Sequence, residues 1–75
     1  MNESNRYFSQ KLKDLRHKSG HTQKSLSEKL PISRPMIGAY EEGRCQPSLE
    51  KLSLFADFFG VSIDDLVRNK KAAAT

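Results

Sequence analysis

The chain contains 75 residues, and its 13 Lys or Arg against 9 Asp or Glu give a formal net charge of +4 at pH 7. This length is enough for one domain, with a core close to the lower limit for independent folding. The single cysteine, Cys45, excludes an internal disulfide, and no apolar run approaches the roughly 20 residues of a membrane span. We therefore expect a cytoplasmic protein that does not associate with membranes.

Two helices are predicted at the start of the chain, from apolar positions three or four residues apart. The first ends at Ser19-Gly20, because glycine readily adopts the left-handed conformation that follows a helix. Thr22 is a suitable N-cap for the second helix, and Pro31 ends it. The two apolar stripes consist of Phe8, Leu12 and Leu15, then of Leu26 and Leu30.

A third helix is predicted after a Pro-Ile-Ser corner. Ser33 can cap this helix, and Pro35 fits its first turn, where a missing N–H costs little. Gly43 closes the helix. Its inner face carries Ile37, Tyr40 and Glu41.

Two further helices are predicted in the last third of the chain. The fourth begins at Pro47-Ser48 and ends at Gly60, and Ser62 caps the fifth. Their apolar stripes consist of Leu49, Leu52, Phe55, Ala56 and Phe59, then of Ile63, Leu66 and Val67. The sequence therefore predicts an all-α domain over residues 8–67, with flexible termini at residues 1–6 and 68–75.

The distribution of charge favours a nucleic-acid-binding surface in the first part of the chain. Residues 1–48 contain 9 Lys or Arg against 5 Asp or Glu, whereas residues 49–75 contain 4 of each. No acidic residue occurs from Lys29 to Tyr40, across the predicted corner and third helix. A phosphate-facing surface would have this pattern, and so would a merely solvated helix surface.

The order and spacing of these residues resemble the Cro/CI-type (Xre) helix-turn-helix family of phage and bacterial regulators. The resemblance extends over residues 8–67, with the helix-turn-helix at about 22–42. The matching residues are Leu12, Leu15, Arg16, Thr22, Gln23, Leu26, Ile32, Ser33, Ile37, Tyr40, Glu41, Gly43, Pro47, Ser48, Leu49, Leu52, Gly60, Val61, Ser62 and Leu66. The resemblance implies a five-helix lambda-repressor-like DNA-binding domain.

The resemblance also implies which residues contact double-stranded DNA. The positions expected to face the major groove belong to the third helix and its cap: Ser33, Arg34, Pro35, Met36, Gly38 and Ala39. The positions expected at the phosphate backbone are Gln23, Lys24, Arg44, Gln46 and Ser48. The Gln23 side chain is also expected to brace the start of the third helix.

Three of these positions leave more than one role open. Arg34 can make a bidentate contact to guanine or a phosphate contact. Met36 can pack on a thymine methyl group or fill a half-buried gap. A glycine inside a helix lowers its stability by roughly 1 kcal/mol relative to alanine. Gly38 is explained either by a close approach of the helix to DNA or by a fold that simply tolerates this loss.

The resemblance further implies a structural ion pair and an unusual corner. Arg16 is expected to pair with Glu41, which lies on an apolar helix face where an unpaired carboxylate would be costly. Position 31 is usually a glycine in a left-handed turn, a conformation that Pro31 cannot adopt. We therefore expect the corner to be closed in a different way.

The charge pattern and the resemblance together predict a sequence-specific transcriptional regulator. We expect it to be a dimeric repressor that places its third helix in the major groove. The alternative is a protein-interaction module on the same fold, such as an antitoxin or an anti-repressor. No catalytic constellation, cofactor motif or small-molecule site is evident. His17 and His21 have the spacing of a metal pair but lack a third ligand beyond Cys45, so no metal site is predicted.

The expected homodimer interface lies on the fourth and fifth helices. Leu54 and Phe58 fall outside the core stripe of the fourth helix, where they would be exposed in an isolated chain. We expect a second copy of the chain to cover both residues, in an interface that also includes Val67 of the fifth helix. Covering by the first helix, the fifth helix or the tail of the same chain is the alternative.

Overall fold

The computed structural model describes residues 3–68, and within them the chain forms five α-helices and no strand. The helices are α1 (Glu3–Lys18), α2 (Gln23–Lys29), α3 (Arg34–Glu41), α4 (Leu49–Phe59) and α5 (Ile63–Val67). The predicted all-α class is confirmed. Helix α1 begins at Glu3, so residues 3–6, which were expected to be flexible, are helical; residues 69–75 of the expected tail lie outside the described part.

Local capping explains where the helices begin. The hydroxyls of Thr22, Ser33, Ser48 and Ser62 each accept a hydrogen bond from the backbone N–H three residues later, at distances of 3.0 to 3.3 Å. Such a bond satisfies one of the four N–H groups that a helix start leaves without a partner inside the helix. Thr22, Ser33 and Ser62 are the caps expected from the sequence, and Ser48 belongs to the Pro47-Ser48 pair at which α4 was expected to begin.

The core lies where α1, α3, α4 and α5 meet. Three aromatic rings form its centre: the centroids of Phe8 and Tyr40 are 5.9 Å apart, those of Phe8 and Phe55 5.9 Å, and those of Tyr40 and Phe55 6.0 Å. Helix α1 packs against α3 and α5, and α2 packs against α3. The other members of the buried cluster are Leu12, Leu26, Ile32, Ile37, Ala56 and Leu66.

The corner between α2 and α3 is closed without a left-handed residue. Leu30 is extended (φ −125°, ψ 151°), as the residue before a proline prefers to be. The N–H of Ile32 then donates to the carbonyl of Leu30 at 2.7 Å, which makes a tight turn around Pro31. A three-residue turn of this kind needs a φ near −75° at its centre, which proline supplies.

Two expectations about α4 are wrong. Leu49, placed in the core stripe from its spacing, is 69% exposed, and its neighbours Ser48 and Glu50 are exposed as well. Leu54 and Phe58 are half-buried against the core instead of exposed. The ring of Phe58 lies 5.4 Å from that of His21 and 5.1 Å from that of Phe59, so much of its surface is covered within the chain.

Candidate nucleic-acid interface

The first turns of α2 and α3 share a charge pattern that sets them apart from the later helices. Neither turn contains an acidic residue, whereas α4 carries Glu50 in its first turn and α5 carries Asp64 and Asp65. Acidic side chains normally stabilise a helix start by interacting with the helix dipole. Their absence from α2 and α3 leaves the positive ends of both helices available to an anionic partner.

The start of α3 presents an exposed surface. Ser33, Arg34 and Pro35 are all exposed, and the hydroxyl of Ser33 is held in place because it caps the helix. The Arg34 side chain therefore extends from a rigid first turn into solvent. Arg34 is the one exposed residue of α3 whose side chain can donate two parallel hydrogen bonds to a base edge or to a phosphate.

Two of the predicted groove-facing residues are partly or largely buried. Met36 is half-buried and packs against the core, which favours its role as a filler. Ala39 is only 8% exposed, so little of its side chain is available to a groove. The turn after α3 folds back, and its Arg44 N–H donates to the Ala39 carbonyl at 3.0 Å.

Gln23 connects the start of α2 to the middle and end of α3. Its Nε2 donates to Oε1 of Glu41 at 3.1 Å, and its Oε1 lies 3.6 Å from where a Cβ at Gly38 would be. The hydrogen bond that the Gln23 amide donates therefore goes to the buried carboxylate at the end of α3. A Cβ at Gly38 would meet Gln23 at an ordinary contact distance, so packing within the chain does not require glycine there.

A buried ion pair holds α3 against α1. Arg16 Nε and Nη2 donate to the two carboxylate oxygens of Glu41 at 2.6 and 3.0 Å, and the side chains are 11% and 2% exposed. Arg16 Nη1 also donates to the carbonyl of His21 at 2.9 Å. The hydrogen bond to Glu41 raises the pKa of the Arg16 guanidinium, although its burial acts in the opposite direction. Together with Gln23, the pair connects α1, α2 and α3 through one carboxylate.

The loop after α3 is fixed by its backbone. Gly43 has a φ of +74°, its N–H donates to the Tyr40 carbonyl at 3.1 Å, and the next N–H bonds to Ala39. These two bonds form a Schellman motif, which holds Arg44 immediately beside the end of α3. Gln46 and Ser48, the other loop residues predicted at the phosphate backbone, are exposed, and so is Lys24 on α2.

Sequence reasoning missed one residue in this loop. Glu42 Oε1 accepts a hydrogen bond from Arg44 Nε at 2.6 Å, and the two side chains are 62% and 65% exposed. An acidic residue two positions before a predicted phosphate-binding arginine was the available signal. The partner of Arg44 in this structure is therefore a carboxylate of its own chain.

Among residues 3–68, no three His, Cys, Asp or Glu side chains lie in a group that could hold a metal ion. No helix in that range is long and apolar enough to cross a membrane. His17 Nε2 lies 3.2 Å from Arg16 Nη2, and His21 Nδ1 lies 2.9 Å from the Ser25 hydroxyl.

The geometry described above is that of a helix-turn-helix, and comparison with known proteins agrees. The helix-turn-helix family profile matches residues 12–66. The chain therefore belongs to this family, in agreement with the Cro/CI-type resemblance of its motifs.

Several relatives are named as transcriptional regulators. The chain is 38% identical over 64 residues to the HTH-type transcriptional activator BcrR of Enterococcus faecalis, covering 85% of this chain and 31% of BcrR. It is 45% identical over 56 residues to an HTH-type transcriptional regulator of Methanocaldococcus jannaschii, covering 75% and 85% of the two chains. It is 33% identical over 64 residues to the CTXphi transcriptional repressor RstR of Vibrio cholerae, covering 85% and 58%.

A solved structure has the same fold. The solution structure of the SOS-response transcriptional repressor LexA from Eubacterium rectale superimposes with a TM-score of 0.86 at 26% identity, covering 93% of this chain and 74% of that one. Several curated relatives are longer than this chain. It spans 31% of the length of BcrR and 60% of the length of the prophage-derived regulator YonR of Bacillus subtilis.

Proposed function

We propose that this chain is a sequence-specific double-stranded DNA-binding regulator of transcription that binds with α3 in the major groove. The observation that carries the proposal is the exposed, acid-free first turn of α3, a helix that packs against α2, whose first turn also contains no acidic residue. Arg34 would read a base edge from this turn, while Lys24 and Arg44 contact phosphates on either side. The names of the relatives support the same class of function.

The proposed functional unit is a homodimer that represses transcription. One helix-turn-helix covers a half-site, and family dimers place two such helices in adjacent major grooves about 34 Å apart. The partly exposed surface of Leu54, Phe58 and Val67 on α4 and α5 is the proposed contact between copies. A dimer bound across a promoter would exclude polymerase, and the names of RstR and LexA support repression over the activation named for BcrR.

A salt titration on random duplex DNA tests the proposal. Binding should weaken steeply as salt rises, because cations released from the phosphates drive the association. Selection of bound sites from a random DNA pool should then yield a sequence with two related half-sites, and a promoter carrying it should be silenced in a reporter assay. An absence of duplex binding at low salt would contradict the proposal and favour a protein-interaction module.

A further inference from the structure

The Glu42–Arg44 ion pair occupies the loop that the proposed function assigns to the phosphate backbone. Arg44 is fixed beside the end of α3 by the Schellman motif, so its side chain begins from a defined position. Its Nε lies 2.6 Å from Glu42 Oε1, and both side chains are more than half exposed. The carboxylate therefore occupies one of the donors that Arg44 would offer to a phosphate.

Glu42 differs from the neighbouring Glu41 in the exposure of its carboxylate. The neighbouring residue Glu41 is buried and paired with Arg16, so its charge is compensated inside the protein. Glu42 is instead exposed and directed to the same side as Arg44. A phosphate that approaches Arg44 meets this carboxylate at close range, and the two like charges repel each other.

We propose that Glu42 sets the DNA affinity of this protein by competing with phosphate for Arg44. The inference rests on the proposed function and adds to it a residue that weakens backbone contact on every DNA sequence alike. Phosphate contacts carry no direct sequence information, so a weaker one lowers affinity for preferred and random duplexes by the same factor. The preference for one sequence over another is then left to α3 and to DNA shape.

The experiment compares four variants of the full chain with wild type: Glu42→Gln, Arg44→Gln, the double variant, and Asp57→Asn. Asp57 is an exposed residue of α4, and its replacement removes the same unit of negative charge outside the loop. Binding to a random duplex and to a selected duplex is measured by fluorescence anisotropy over a range of salt concentrations. A thermal melt of each variant establishes that it is folded.

Glu42→Gln should bind both duplexes about two- to fivefold more tightly at low salt, the range expected for release of an exposed ion pair. Its plot of log affinity against log salt should steepen by up to about one unit, because Arg44 contacts its phosphate without competition from the carboxylate. Asp57→Asn should bind like wild type. The gain in DNA affinity from Glu42→Gln should be smaller in the Arg44→Gln background than in wild type.

Three results would overturn the proposal. In the first, Glu42→Gln binds DNA no more tightly than wild type. In the second, Asp57→Asn gains as much affinity as Glu42→Gln, and in the third, Glu42→Gln gains as much affinity in the Arg44→Gln background as in wild type; both would indicate a general charge effect. A loss confined to the selected duplex would also overturn it, because Glu42 would then contact a base such as cytosine. If wild type binds no duplex at low salt, the proposed function itself fails; if wild type binds and Glu42→Gln gains nothing, only this inference fails.

Discussion

Replacement of Glu41 by glutamine should destabilise the fold severely. Glu41 accepts hydrogen bonds from Arg16 Nε at 2.6 Å, from Arg16 Nη2 at 3.0 Å and from Gln23 Nε2 at 3.1 Å. The amide of glutamine would direct its own N–H groups at some of these donors and would leave the Arg16 charge without a counter-ion. Since the Arg16 side chain is only 11% exposed, solvent cannot compensate for the loss.

The expected cost is about 3–5 kcal/mol, the range for removing one partner of a buried pair. Domains of this kind are stable by only about 5–15 kcal/mol, so the variant would lose a large part of its stability. For a domain this small, each kcal/mol lowers the melting midpoint by about 4–8 °C, which gives a fall of at least about 12 °C. Thermal and urea denaturation followed by circular dichroism would measure it.

Two controls make this prediction specific to the buried pair. Glu42→Gln changes the adjacent but exposed carboxylate and should cost less than about 0.5 kcal/mol. Arg16→Met combined with Glu41→Leu removes both charges and should cost much less than the sum of the two single changes. An unchanged melting midpoint for Glu41→Gln would refute the argument, because a carboxylate that can lose its charge freely is not holding Arg16.

Three further predictions concern recognition, pH and assembly. Arg34→Ala should lose roughly 1–3 kcal/mol of binding on the preferred site and flatten the preference at one base pair, and an equal loss on all sequences would assign Arg34 to phosphate. Burial raises the pKa of the Tyr40 phenol, so the stability that the neutral phenol contributes is complete below the unfolded pKa of about 10 and is lost as the pH rises above it; Tyr40→Phe should therefore lose less stability than wild type as the pH is raised above about 10. Wild type should dimerise weakly in sedimentation, and Leu54→Glu with Phe58→Glu should be a less stable monomer, because both residues also pack against the core, with its folding checked by circular dichroism. A wild type that stays monomeric at high concentration would rule out this interface.

Much of the fold followed from short stretches of sequence, because helix boundaries depend on interactions between near neighbours. Ser33 caps α3 through a bond to the N–H three residues later, and Gly43 ends α3 because it takes a left-handed conformation. The tight turn around Pro31 is also determined locally, since proline and the residue before it can adopt few backbone conformations. The spacing of apolar residues then selected the all-α class.

Tertiary structure decided which residues of each helix are available to a partner. Spacing put Leu49 in the core, whereas the fold exposes it, because burial depends on which elements cover each helix end. The family resemblance put Ala39 at a groove-facing position, whereas the fold leaves only 8% of it exposed. The ring of Phe58 is half-buried because His21, far away in the sequence, lies against it. The pairing of Arg44 with Glu42 likewise depends on the left-handed turn that brings the two side chains together, and side-chain geometry of this kind cannot be read from spacing alone.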